Sequence, residues 1–281
     1  MSLSVCSIAS GSNGNCYYVG NETEAVLVDA GIPCKEIESR IRRAGLSLQN
    51  VKAIFVSHEH TDHISGLPVL AKKHNLPIFI TSLTLRNSKL RFEKNLLNEF
   101  SADVPVVIGD LTITAFSKRH DAADPYSFTV SGGGVNVGVI TDIGRACENV
   151  ISHFSQCHAA FLEANYDEEM LLKGSYPWYL KNRIRSGHGH LSNHEALDLF
   201  QQYRSPQLSH LFLSHLSRNN NCPKLVEELF TSNAQGVKMI VASRFQESAV
   251  YQINSLSKLE ANNYDVHVSQ PQLTLSFDTS F

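Results

Sequence analysis

Four residues able to hold a metal ion fall within six consecutive positions, His58-Glu59-His60-Thr61-Asp62-His63, directly behind the apolar run Ala53-Ile54-Phe55-Val56. The apolar run reads as a buried strand. Beyond it, side chains on an extended or looping backbone alternate with period two, so His58 and His60 point the same way and one ion can take both imidazoles. Asp62 and His63 sit where the chain turns into a helix, and can address a second ion a few ångströms away. Imidazole nitrogen and carboxylate oxygen suit zinc, iron or manganese, whereas structural zinc would call for a thiolate cage. The plain alternative is a solvated histidine-rich loop without metal, and four donors in six residues at a strand end argue against it.

The chain around this motif has 281 residues, 42% of them hydrophobic and 18% charged, enough for one large α/β domain or two modest ones. A formal net charge of −3 exerts no global attraction on nucleic acid, although a metal site and a few local cations can still bind phosphates. The opening Met1-Ser2-Leu3-Ser4-Val5 lacks the basic and apolar segments of a signal peptide. No run approaches the roughly 18 to 20 apolar residues of a membrane helix. Cys6, Cys16, Cys34, Cys147, Cys157 and Cys222 form no C-x-x-C pair and are too sparse for a disulfide scaffold, so reduced thiols and a cytoplasmic location are expected.

Apolar runs and turn signals predict strands at Leu3–Ile8, Cys16–Val19 and Ala25–Val28, with Ser10 to Asn15 as a tight hairpin turn. A helix over 35–45, a strand at Ala53–Val56, a helix from His63 through Lys73 and a strand at Ile78 follow. Strands are expected at Val104–Ile108, Leu111–Phe116, Tyr126–Val130, Val135–Ile140 and Ala159–Leu162. Ser192 and Glu195 form a capping box for a helix through Tyr203. Leu211-Phe212-Leu213-Ser214-His215 repeats the strand-into-histidine pattern, and Lys238–Ala242 reads as the last regular strand. Strands and then helix, twice over, predict two stacked mixed β-sheets with helices on the outer faces, an αββα sandwich. Residues 1–250 are expected to form this domain, and 251–281 a C-terminal extension.

An H-x-H-x-D-H run after an apolar strand resembles the motif of the metallo-β-lactamase fold, and the resemblance implies a full set of site residues. Asp29, at the strand end Leu27-Val28-Asp29-Ala30-Gly31, matches the aspartate that orients the histidine loop. His120 matches a third histidine on the first ion, Asp142 the aspartate bridging both ions, and His215 the last histidine on the second. With His58, His60, Asp62 and His63, these imply two divalent cations, zinc foremost, with manganese or iron as alternatives. His63 stands where the β-lactamases proper commonly place cysteine, and His60 where flavodiiron relatives have glutamate, so hydrolysis is expected rather than redox chemistry.

A narrower resemblance rests on Ser7 to Asn15, on His120-Asp121-Ala122-Ala123-Asp124-Pro125, and on Glu163-Ala164-Asn165-Tyr166-Asp167. Gly189-His190-Leu191-Ser192-Asn193 and Leu216-Ser217-Arg218-Asn219-Asn220-Asn221 extend it. These strings are similar to the bacterial YycJ/WalJ group, related to the RNase Z branch. The resemblance implies a cytoplasmic, exonuclease-like phosphodiesterase with nucleic acid as substrate, DNA rather than RNA, and no membrane partner. Within it Asp62 is the candidate to position or deprotonate the attacking water, and His190 the candidate contact to phosphate or leaving group. Glu163 and Asn165 are candidates to line the substrate cleft. The pair His188 and His190 competes with His120 for the metal, and Gly187 and Gly189 would leave that loop flexible. Lys181, Arg183 and Arg185 read as a solvated basic face before a nucleic-acid contact. Hydrolysis of a small ester, thioester or cyclic phosphodiester, and a non-catalytic metal-binding module, are the alternative functions.

Overall fold

The computed structural model describes residues 2–255. The first half of the chain builds β1 (Ser2–Ala9), β2 (Cys16–Gly20), β3 (Ala25–Val28), α1 (Cys34–Arg43) and β4 (Val51–Phe55). It continues through α2 (Thr61–Ile64), α3 (Leu67–His74), β5 (Ile78–Phe79), α4 (Ser82–Ser88) and β6 (Leu97–Asn98). The second half builds β7 (Val106–Ile108), β8 (Leu111–Ser117), β9 (Tyr126–Gly132), β10 (Val135–Ile140), α5 (Glu148–Phe154) and β11 (Ala159–Glu163). Then come α6 (Glu168–Lys173), α7 (Trp178–Ile184), α8 (Asn193–Tyr203), β12 (His210–Ser214), α9 (Pro223–Thr231), β13 (Lys238–Val241) and β14 (Tyr251–Asn254).

The strands form two seven-stranded sheets, ordered β14-β1-β2-β3-β4-β5-β6 and β13-β12-β11-β10-β9-β8-β7. Each is mixed: β3 to β6 and β10 to β13 pair in parallel, and the remaining pairs are antiparallel. Alternation along β1 shows how the layers arise. Leu3 and Val5 face Phe128, Val130 and Phe161 of the other sheet, while Cys6 and Ile8 face Ile37 and Ile41 of α1. The second sheet is covered likewise by Val150, Phe154, Leu199, Phe200, Val226 and Phe230 of α5, α8 and α9. Strands buried on both faces read as continuous apolar runs. The result is the expected αββα sandwich.

Three details depart from expectation. The helix foreseen from His63 through Lys73 divides into α2 and α3, because the Gly66 N–H bonds the Ala30 carbonyl at 2.8 Å. The strand foreseen from Val104 begins at Val106. The segment expected to stand apart from residue 251 begins instead with β14, which pairs antiparallel with β1 in the register Leu3↔Ile253, so β13 is not the last strand. Ile253 is fully buried between the sheets, which is why the chain returns there. Residues 256–281, the remainder of that segment, lie outside the described residues.

Candidate metal centre

The polar residues of interest gather at the carboxyl ends of the strands, where open α/β sheets characteristically leave a crevice. Asp29 follows β3, the histidine loop follows β4, His120 follows β8, Asp142 follows β10, Glu163 ends β11 and His215 follows β12. Asp29, Asp142 and His215 all have positive φ, at 62°, 54° and 57°. Each thus turns its side chain off the strand path at the point where the strand stops.

The histidine loop is stapled from both sides. Asn15 N–H donates to the Asp62 carbonyl and Ala30 N–H to the His63 carbonyl, both at 2.8 Å. Gly31 lies against the same peptide: a β-carbon there would sit 1.6 Å from the Asp62 carbonyl oxygen, so no larger residue fits. Asp29 accepts Ser57 N–H and Ser57 O–H on separate oxygens, each at 2.8 Å, and His63 Nδ1–H at 2.7 Å.

These contacts fix the ring tautomers. His58 Nδ1 donates to Ser57 Oγ at 2.8 Å, His63 Nδ1 to Asp29, His120 Nδ1 to the Gly189 carbonyl at 2.8 Å, and His215 Nδ1 to Glu163 Oε1 at 2.9 Å. In the neutral form of each ring the lone pair falls on Nε2, and all four Nε2 atoms turn inward. His60 presents Nδ1, 3.1 Å from His58 Nε2 and 3.3 Å from His120 Nε2. A single cation bound tetrahedrally at about 2.0–2.1 Å sets its nitrogen donors about 3.3 Å apart, close to both of these spacings.

A second group comprises Asp62, His63 and His215, with Asp62 Oδ2 3.4 Å from His63 Nε2 and 3.3 Å from His215 Nε2. Asp142 stands between the groups. Its Oδ2 is 3.2 Å from His63 Nε2, and its Oδ1 is 3.4 Å from His215 Nε2 and 3.9 Å from His120 Nε2. Asp142 Oδ2 is buried without a hydrogen-bond partner, an uncompensated atom that a cation would satisfy. The donor set therefore suits metal.

The electrostatics divide the rings into two kinds. Burial holds His58 low and takes His120 down to about 3, so both keep the neutral form that ligates. Burial works against a charge on His63 and His215 as well, yet Asp142 and the neighbouring carboxylates outweigh it; His215 is pushed up to about 10. Protons go where several buried carboxylates call for positive charge.

All seven residues expected as ligands thus converge, and Asp29 holds the loop. His190 comes to the edge of the centre, its Nδ1 donating to Glu163 Oε1 at 2.8 Å. It borders a cavity of about 170 Å³, shared with Asp121, Arg183 and Asn165. Glu163 departs from its expected place lining the cleft, whereas Asn165 does reach it. Glu163 is 0% exposed and lies behind the rings: Oε1 accepts from His190 and His215, and Oε2 from Ile143 N–H at 2.6 Å. Asn165 reaches the cavity wall, but its amide donates to the His215 carbonyl at 2.7 Å. His188 does not compete with His120, because its side chain is exposed and joins no donor cluster among the described residues. Nor is that loop loose at Gly189, whose carbonyl fixes His120 and where a β-carbon would lie 2.2 Å from the Ile184 carbonyl oxygen. The basic trio separates: Lys181 turns inward to the Leu172 carbonyl, Arg183 pairs with Asp121, and Arg185 lies over the Trp178 ring.

Ser10, Asn15 and Ser57 are the contributors that sequence reasoning missed. The Ser10 hydroxyl accepts His215 N–H at 2.8 Å, and Asn15 Nδ2 donates to Asp62 Oδ2 at 3.2 Å. The hairpin turn is thus also a wall of the site. A buried Asn beside the Asn-Gly turn was the available signal, but nothing local ties it to a histidine 48 residues away.

Residues 24–215 match the Beta-lactamase superfamily domain family. The chain is 35% identical over 229 residues to the Exodeoxyribonuclease YycJ of Bacillus anthracis, covering 80% of this chain and 86% of that one. It is 32% identical over 223 residues to the Exodeoxyribonuclease WalJ of Streptococcus pneumoniae, covering 78% and 83%. Among solved structures, the metallo-beta-lactamase fold protein YhfI from Bacillus subtilis superposes with a TM-score of 0.66 at 19% identity, over 90% of this chain and all of the other.

Proposed function

The chain belongs to the metallo-β-lactamase superfamily, and from that premise we propose that this metal-dependent hydrolase is a dinuclear phosphodiesterase that cuts nucleic acid, DNA foremost, in the manner of an exonuclease. The observation that carries the reading is the convergence of two donor groups on the shared Asp142, beside a cavity bordered by His190. The names of the two relatives support DNA as substrate and action from an end.

His58, His60 and His120 would hold one ion, and Asp62, His63 and His215 the other, with Asp142 common to both; zinc suits the donors, and manganese or iron would be accepted. Bound there, divalent cations lower the pKa of water towards neutrality and clamp phosphoryl oxygens for in-line attack. Asp62 Oδ2 accepts from Asn15 Nδ2, and a carboxylate oxygen can orient the attacking water and take its proton. On the other side of the scissile phosphate, His190 delivers a proton to the departing oxygen. Its Nδ1 is committed to Glu163, so Nε2 is the nitrogen left for that task. Glu163 serves as a positioning residue for both His190 and His215. The six cysteines are free, and buried thiols fit the reducing cytoplasm. Among the described residues no helix is long and apolar enough to cross a membrane.

The test is hydrolysis of end-labelled single- and double-stranded DNA and RNA in zinc- and manganese-supplemented buffers, beside a His58→Ala control. Cleavage of DNA that is lost in the control, with mononucleotides as first products, is the expected result. No cleavage of any polymer by protein carrying two ions per chain would shift the assignment to a small ester or phosphodiester.

A further inference from the structure

Beyond His215 the chain runs Leu216-Ser217-Arg218, and two cavities meet at Ser217. The first is the cavity beside His190, whose wall includes Ser12. The second, about 320 Å³, is bounded by Ser10, Arg218, Arg244 and Phe245. The shared wall residue sets the outer cavity next to the one beside the candidate metal centre, as a groove in two parts.

The chemistry of the outer part differs from that of the centre. Arg244 is held in place by neutral acceptors, donating to Asn13 Oδ1 at 3.3 Å and to the Leu216 carbonyl. Arg218 is exposed, and neither arginine has a carboxylate at ion-pair distance among the described residues. Both arginines line the same cavity, and burial, then the charge of Arg218, hold Arg244 below the ordinary guanidinium value. Such a pair, in a chain of net charge −3, calls for an anion. The Phe245 ring beside them is 77% exposed, although its backbone is pinned by a hydrogen bond from Phe245 N–H to Ser243 Oγ at 3.1 Å. A solvent-facing ring next to guanidinium groups without carboxylate partners suits a polymer that alternates phosphate with a flat base.

We propose that this groove carries the single-stranded nucleic acid adjoining the bond to be cut, with Arg218 and Arg244 on its phosphates and Phe245 stacked on an unpaired base. The inference rests on the nuclease reading above and deepens it: the substrate is a strand with at least one phosphate beyond the scissile one, presented unpaired.

Fluorescence anisotropy with a short single-stranded phosphorothioate DNA, on the metal-loaded protein, tests this directly. Arg218→Gln is expected to weaken binding about fivefold or more at low salt and to reduce the slope of log K against log salt by about 0.7, one phosphate contact on a single strand. Arg218→Lys restores the slope. Phe245→Ala is expected to weaken binding about fivefold or more with the slope intact, since stacking releases no counter-ions. Lys52→Gln, at the opposite end of β4, controls for loss of a positive charge elsewhere and leaves binding unchanged. Both test residues are exposed, and circular dichroism verifies that the variants fold. If Arg218→Gln and Phe245→Ala bind like the unchanged protein while that protein binds and cleaves DNA, the groove is wrong and the nuclease reading stands. If the unchanged protein neither binds nor cuts any polymer yet hydrolyses a chromogenic phosphodiester, the nuclease reading falls and the groove falls with it.

Discussion

Asp29, Asp142 and His215 occupy a backbone region that costs a non-glycine residue on the order of 1–3 kcal/mol, and each uses it to aim a side chain at one point. Asp29 has the widest reach, since one carboxylate serves Ser57 and His63 directly and His58 through the Ser57 hydroxyl. Asp29→Asn keeps the backbone, because asparagine tolerates positive φ, but removes the charged acceptor. It is expected to weaken metal binding about 10- to 100-fold, read by chelator competition. At this scale the histidine motif was fully legible, because its ligands are adjacent in sequence. The role of Glu163 was not. A carboxylate at a strand end looks the same whether it faces a cleft or backs two imidazoles, and only the approach of His190 and His215 decides between them. The thiols make a separate residue-scale prediction. Burial pushes Cys6 up to about 11 and Cys157 up to about 12, whereas Cys222 is exposed. In the native protein near pH 8, iodoacetamide should modify Cys222 first and these two only after unfolding, as peptide mapping will reveal. Because the folded state keeps these thiols protonated, their contribution to stability is whole below the ordinary thiol value of about 8.5 and is lost as pH rises towards 12.

The α8 cap steadies the edge of the candidate metal centre. The capping box was read from Ser192 and Glu195, and both of its hydrogen bonds are present, Glu195 N–H to Ser192 Oγ at 3.2 Å and Ser192 N–H to Glu195 Oε2 at 2.9 Å. The cap lies two residues beyond His190, so it also anchors the end of that loop. Ser192→Ala is expected to cost about 1 kcal/mol, a fall in Tm of about 2–4 °C, with a loss of activity that exceeds the small loss of fold. Differential scanning calorimetry and turnover on the same sample measure both. At the opposite edge, β14 was invisible because Tyr251-Gln252-Ile253-Asn254 is short and mixed in character, and its pairing with β1 spans almost the whole chain. A chain ending at residue 250 exposes Leu3 and the β1 edge, and its urea midpoint should fall below that of a chain ending at Ser255.

Across the whole molecule, buried carboxylates from both halves of the chain meet at one point: Asp29 from the first, Asp142 and Glu163 from the second. Cations held at that point only in the folded chain would join those halves. Metal removal should therefore lower Tm, by a difference equivalent to about 4 kcal/mol where free metal stood a thousandfold above its dissociation constant. Thermal melts with and without chelator, followed by zinc or manganese re-addition, check this; an unchanged Tm would deny the clusters any metal. The sequence by itself determined the two-layered alternation of strands and the His58 to His63 ligand run, because strand periodicity and adjacent donors are local properties. It also placed Asp29, Asp142 and His215 at strand ends. Only the tertiary structure decided that Ser10 and Asn15 belong to the centre, that Glu163 stands behind it, that His188 faces solvent, and that Arg218 and Arg244 share a groove. Those relations join residues far apart in the chain, and the packing of one sheet on the other is what sets the distances between them.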